Sequence, residues 1–284
     1  MESLVDTKQR GRWCPELAGK TAIVTGAGRY RGIGRQIAME LARQGVNLVL
    51  TGTGRDPTHY PPEEKRIGWN DIDSVADEAQ TLGVRVLAMV SDVGDVRAGR
   101  EVVSATVERF GGADILINNA AAGVGHDRAP VIDLPLEEWE RVLRINLHGC
   151  FIMAQAGARA MVERGQGGTI LNISSIASHL APANRAPYAV SKAGLETLSR
   201  VMALELAPHR IRVNAVLPGL INTARAATMS ETDRWDGYVK SFVPMGAPGD
   251  GSEIAWMCTY LCSDMGQWIT GQNIAVDGGT SWIR

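Results

Sequence analysis

A chain of 284 residues, 45% hydrophobic and 21% charged, has the size and composition of a soluble globular protein with one large α/β domain or two small ones. Its formal net charge of −2 removes any electrostatic basis for a nucleic-acid or anionic-membrane partner, and no apolar run approaches the ~20 residues that span a bilayer. Cys14, Cys150, Cys258 and Cys262 are too scattered for a disulfide scaffold, and the Cys258/Cys262 pair lacks the neighbours of a metal site, so no metal is expected.

Residues 1–18 have no apolar core of the signal-peptide type and carry Glu2 and Asp6, so they read as a loosely ordered extension of a cytoplasmic protein. From residue 19 onward, short apolar runs alternate with helical patterns. "TAIVTG" (21–26) reads as a buried strand, "GIGRQIAMELARQG" (32–45) as a helix, "VNLVLTG" (46–52) as a strand, and "DIDSVADEAQTLG" (71–83) as a helix. "VRVLAMVSD" (84–92) is the next strand, then a helix over about 95–109, "ADILINNA" (113–120), and a long helix from about Glu137. "GTILNISS" (168–175), a helix over 187–206, "IRVNAVLPG" (211–219), a helix around 252–263 and "NIAVDGG" (273–279) complete the series. Continuous apolar strands separated by amphipathic helices predict a single doubly wound domain over 19–284, a parallel sheet with helices on both faces. Ligands of such sheets bind beyond the carboxyl ends of the strands, which is where the polar motifs fall. Two stretches break the rhythm, 53–70 and 222–249, and connections of that length carry function disproportionately.

"GAGRYRGIG" (26–34) joins the first strand to its helix, where backbone N–H groups and a helix N-terminus face a pyrophosphate, with Gly26, Gly32 and Gly34 permitting the turn. The second strand ends at Gly52, where a dinucleotide fold using NAD carries an acidic residue on the ribose hydroxyls. With Arg31 and Arg55 nearby, the expectation is NADP(H) over NAD(H), its 2′-phosphate held by guanidinium; solvated arginines are the plain alternative. Asp92, ending the third strand, can accept from an adenine amino group or act as a strand-end cap.

"YAVSK" puts Tyr188 and Lys192 one helical turn apart on one face, and a neighbouring ammonium favours the phenolate of a tyrosine that must act as acid/base at neutral pH. Ser175, thirteen residues before Tyr188, can hydrogen-bond a substrate oxygen, and Asn146 on the preceding long helix is a helix-interior defect or holds a water leading to Lys192.

These ordered motifs, with "TG…GIG" (25–34), "DV" (92–93), "NNAA" (118–121), "NISS" (172–175) and "VNAVLPGLINT" (213–223), resemble the classical short-chain dehydrogenases/reductases over Leu17–Gly279. The resemblance implies a Rossmann-type sheet of about seven strands, a homotetramer, and Asn146, Ser175, Tyr188 and Lys192 as catalytic tetrad. It also implies that Lys192 binds the nicotinamide ribose and that Ile221 and Thr223 bind the carboxamide. Asn119 then faces the cofactor, and Gly28, Ile33, Thr53, Val93, Ala120, Ala121, Pro218 and Gly219 join the contacts. Three departures stand out: two extra residues in the glycine loop, Ala121 in place of a glycine, and the long 53–70 connection, which either covers the adenosine end or joins a subunit contact. The expected reaction is reversible hydride transfer between NADP(H) and a small-molecule ketone/secondary-alcohol pair, with no metal. The substrate pocket is expected from Val124 to Asp127, His179 to Asn184, and a loop holding Met229, Trp235, Tyr238 and Phe242. Three alternatives stand beside it: an NAD-dependent alcohol dehydrogenase with the same tetrad, a non-catalytic cofactor-binding sensor or scaffold, and a structural partner in a hetero-oligomer.

Overall fold

The structure, a computed structural model, describes residues 12–224 and 235–281. In chain order its elements are β1 (Thr21–Thr25), α1 (Ile33–Arg43), β2 (Asn47–Gly52), α2 (Pro62–Arg66), α3 (Asp71–Gln80), β3 (Val86–Val90) and α4 (Val96–Phe110). There follow β4 (Ile115–Asn118), α5 (Leu136–Leu143), α6 (Gly149–Arg164), β5 (Gly168–Ile173), α7 (Ala177–Leu180), α8 (Ala186–Leu206), β6 (Ile211–Pro218), α9 (Trp235–Phe242), α10 (Gly251–Cys262) and β7 (Asn273–Val276).

The seven strands form one parallel sheet in the order β3-β2-β1-β4-β5-β6-β7. Every residue of β1, β2 and β4 is buried, because helices cover both faces and neither face of a central strand meets water. One face packs Leu48 and Leu50 under Ile37 and Leu41 of α1 and Ile254 and Leu261 of α10; the other packs Val49 and Leu116 under Val102 of α4 and Met153 and Met161 of α6. Each fully buried Leu or Ile contributes about 1.5–3 kcal/mol relative to exposure, so this two-sided burial dominates what holds the sheet. Helix ends follow local chemistry: α4 and α6 stop at left-handed Gly111 and Gly165, and α10 starts with an Asp250/Glu253 capping box. The chain reverses winding direction between β1 and β4, which opens a crevice at their carboxyl ends.

Two expectations need correcting. The long helix from Glu137 is interrupted by a π-helical turn, Arg144–His148, whose wider winding surrounds Asn146. The last part of the expected loose extension is docked: the Trp13 and Cys14 N–H groups donate to Gln44 Oε1, Trp13 Nε1 donates to Glu40 Oε1, and Cys14 and Leu17 are fully buried. Glu2 and Asp6 lie outside the described residues. Among the described residues no group of His, Cys, Asp and Glu could hold a metal ion, and no helix is long and apolar enough to cross a membrane.

Candidate active site and cofactor cleft

The glycine loop is held to β4 by side-chain amide chemistry. Asn119 Nδ2 donates to the Thr25 and Gly26 carbonyls, both at 2.9 Å, and the Asn119 and Ala120 N–H groups donate to Thr25 Oγ1. Asn119 therefore braces the loop, with its amide nitrogen spent on the chain itself. Gly26 (φ +67°) runs so close to β4 that a Cβ there would sit 2.7 Å from Ala120 Cα, and a Cβ on Gly34 would overlap the Asn119 amide. Beyond the loop, Gly32 is the N-cap of α1 and supplies no side-chain cap. The first-turn N–H groups, beginning at Ile33, lack intrahelical partners and sit at the positive end of the helix dipole. A cleft lined by Arg31, Gly32, Gln36, Asn222, Thr223, Asp250 and Gly251 opens at this terminus, and an uncapped helix start of this kind fits a pyrophosphate.

Other expected cofactor residues ring the same crevice. Thr53 is exposed past the end of β2, Ala121 is exposed after β4, and Pro218 ends β6. Gly219 donates to the Val276 carbonyl at 3.0 Å and packs on Asp277 too closely to admit a Cβ. Ile221 is buried and bridged to Gly249, and the Thr223 N–H donates to the Ile221 carbonyl at 2.8 Å. Val93 is core packing against Gly149, and Asp92 accepts from the Gly94 N–H (2.9 Å) and Arg144 Nη1 (3.0 Å).

The two arginines expected at a 2′-phosphate are engaged within the protein. Arg55 donates to Glu64 at 2.9 Å and to Asp71 at 3.2 Å, reaches the Gly28 carbonyl at 3.4 Å, and lies 4.6 Å over the centre of the Tyr60 ring. Its side chain is only 17% exposed; burial pulls its pKa down, but Glu64 and Asp71 outweigh that and hold it above the ordinary value. Arg31 donates to Asn222 Oδ1 and lies 3.7 Å from Glu63. The glycine loop and the 53–70 connection interlock around them. Trp69 Nε1 donates to the Gly28 carbonyl at 2.7 Å, the Tyr30 N–H donates to Glu64 at 3.0 Å, and Tyr30 meets Trp69 edge-on at 5.1 Å. Arg35 spans both rings and forks onto Glu78. Thus the two departures in length fit each other. Only the length of the 53–70 connection points to Glu64 and Trp69 in the sequence, and Asp71 reads there simply as the start of a helix.

At the other end, α8 carries Tyr188 in its first turn and Lys192 one turn later. Lys192 is buried, donates from Nζ to the Ile173 carbonyl at 2.7 Å, and lies 5.7 Å from the centre of the half-buried Tyr188 ring. Ser175 stands just past β5 on the same crevice, its hydroxyl accepting from the Ala177 N–H at 3.2 Å. Asn146 accepts from the Ala122 N–H (2.8 Å) and donates to Ser191 Oγ (3.1 Å), which donates to the Tyr188 carbonyl (2.7 Å). The π-turn so ties the Ala122 loop to the first turn of α8. Glu196, buried one turn beyond Lys192, accepts from Ser174 Oγ and Asn273 Nδ2 and pairs with His179, each at 2.9 Å, which anchors the segment after β5.

The expected substrate segments divide. Phe242 stacks on Tyr238 at 5.2 Å and, with Leu180, lines a small apolar cluster on Ile176 and Leu217. Asp127 is buried and held by Arg141 at 3.2 Å, so it pins its loop from below; His126 is exposed. Met229 lies outside the described residues.

A family model described as enoyl-(acyl carrier protein) reductase matches residues 26–281. The L-rhamnose 1-dehydrogenase (NAD(P)(+)) of Azotobacter vinelandii is 38% identical over 93% of this chain and 97% of its own. The chain belongs to the short-chain dehydrogenases/reductases. A solved short-chain dehydrogenase/reductase from Mycobacterium marinum superposes with a TM-score of 0.80 at 33% identity, covering 94% of this chain and 97% of the other. So does a 7α-hydroxysteroid dehydrogenase complexed with NADH and 7-oxo glycochenodeoxycholic acid, with a TM-score of 0.80 at 32% identity over 93% and 95%. This short-chain dehydrogenase/reductase is therefore an oxidoreductase acting on alcohol and carbonyl groups with a nicotinamide cofactor.

Proposed function

We infer that this enzyme interconverts a small-molecule ketone and its secondary alcohol, with Tyr188 as general acid/base. The observation that carries the reading is the buried ammonium of Lys192, fixed by the Ile173 carbonyl and facing the Tyr188 ring in the crevice where α1 begins uncapped. A bound nicotinamide dinucleotide supplies or accepts the hydride. The chain's own residues do the rest: α1 binds the pyrophosphate through its first-turn N–H groups, and Lys192 binds ribose hydroxyls and stabilises a phenolate. Tyr188 gives its phenolic proton to the carbonyl oxygen on reduction and takes the hydroxyl proton on oxidation, while the Ser175 hydroxyl holds that oxygen. Asn146 positions Tyr188 through Ser191 and the π-turn. Phe242, Tyr238 and Leu180 supply apolar surface for the substrate.

The preference for NADP(H) drawn from Arg31 and Arg55 loses its support, since both guanidinium groups have partners in the protein. Exposed Phe151 on α6, and Val190, Val201 and Leu204 on α8, support assembly into a homotetramer; light scattering at the mass of a single chain would remove that part. The test of the reaction is Tyr188→Phe. Turnover of ketone panels should fall about 10²–10⁴-fold with dinucleotide binding retained, and near-normal turnover refutes the role.

A further inference from the structure

The end of β2 lacks a carboxylate in sequence, yet the folded chain delivers one there. Asp71, nineteen positions beyond Gly52 and the first residue of α3, turns its side chain back between β2 and the glycine loop. A Cβ on Gly28 would overlap Asp71 Oδ1, and a Cβ on Gly52 would lie 3.6 Å from Oδ2. Gly28 therefore makes room for this carboxylate at the adenosine end of the crevice, while Gly52, where a Cβ would lie 2.8 Å from Ile72 Cγ2, makes room for the residue that follows Asp71. Asp71 holds a left-handed backbone (φ +48°), unusual for a residue other than glycine, and the Arg55 N–H and guanidinium both donate to it. We propose that Asp71 is the specificity-determining residue for the dinucleotide, accepting from a ribose hydroxyl and turning away a 2′-phosphate, so that the enzyme selects NAD(H) over NADP(H).

The charge around the position agrees. One guanidinium, Arg55, stands against two buried carboxylates, Glu64 and Asp71, and Arg31 is drawn toward Glu63 and Asn222. Swinging Arg55 out to meet a phosphate would leave both carboxylates, 3% and 9% exposed, without that guanidinium. Trp69 on the Gly28 carbonyl and Glu64 on the Tyr30 N–H hold the 53–70 connection in the position that brings Asp71 home.

This inference rests on the dinucleotide-binding reading above and is tested by binding, independently of turnover. The full chain and Asp71→Asn are titrated separately with NADH and NADPH, following nicotinamide fluorescence. The native protein should bind NADH at least tenfold more tightly than NADPH, and Asp71→Asn should bring the two toward parity by weakening NADH alone. Equal weakening of both would make Asp71 a mere brace for Arg55 and overturn the proposal. Should the variant not fold, competition on the native protein decides: adenosine 5′-monophosphate should displace NADH more effectively than adenosine 2′,5′-bisphosphate, and the reverse order overturns it. A native preference for NADPH overturns this proposal and leaves the hydride-transfer reading standing, whereas binding of neither dinucleotide overturns both.

Discussion

The two ends of the crevice are built by different means. At the end proposed for catalysis, the central pair comes from one regular element: Tyr188 and Lys192 share a helix face, and a neighbouring strand carbonyl, that of Ile173, accepts from the Lys192 Nζ. At the adenosine end nothing is local. Arg55, Glu64 and Trp69 bond to Gly28 and Tyr30 from up to 41 positions away, Asp71 packs against Gly28, and the arrangement exists only once the connection has folded back. Chemistry written in helical spacing is robust to loop changes, while selectivity assembled from loop contacts can be altered without touching the reaction.

Substitutions that separate the two ends sharpen this contrast. The largest effect should come from Lys192→Met, which removes the buried ammonium: kcat should fall by on the order of 10²-fold or more, with adenosine 5′-monophosphate binding unchanged, and a parallel loss of both would join the two ends into one unit. Gly28→Ala forces a methyl group onto the Asp71 carboxylate. It should weaken NADH roughly tenfold, about 1.4 kcal/mol, while kcat at saturating cofactor stays near native. Trp69→Phe removes the donor to the Gly28 carbonyl at a cost of about 1 kcal/mol, read as a Tm decrease of about 2–4 °C.

The smallest effect concerns groups outside both ends. Burial raises the thiol of Cys150 to about 11 and that of Cys262, despite Arg212, to about 12. A thiol whose pKa is raised on folding releases its proton more readily when unfolded, so its contribution to stability is complete below about 9 and declines as pH rises toward those values. Urea midpoints should therefore fall between pH 9 and pH 11, and all four buried cysteines should resist a thiol reagent at pH 8 until the protein unfolds. Rapid native labelling would show that the core beneath the sheet opens.

The sequence by itself determined the strand and helix alternation, the parallel sheet and the one-turn spacing of Tyr188 and Lys192, because continuous apolar strands admit only a sheet covered on both faces and helical spacing is a local property. It also located the glycine loop, since glycine at a close approach such as Gly26 has a steric cause visible in the strand–turn–helix order. Only the tertiary structure decided the rest. The π-turn at Asn146 depends on hydrogen bonds to Ala122 and Ser191, and the docking of Trp13 and Cys14 depends on Glu40 of α1 and on Gln44 just past its end. Whether Arg55 meets a phosphate or a carboxylate turns on Glu64 and Asp71, distant in sequence and brought close by a connection whose path no periodicity encodes. Electrostatic meaning belongs to neighbours in space, and a charged residue read without its neighbours has a sign but no role.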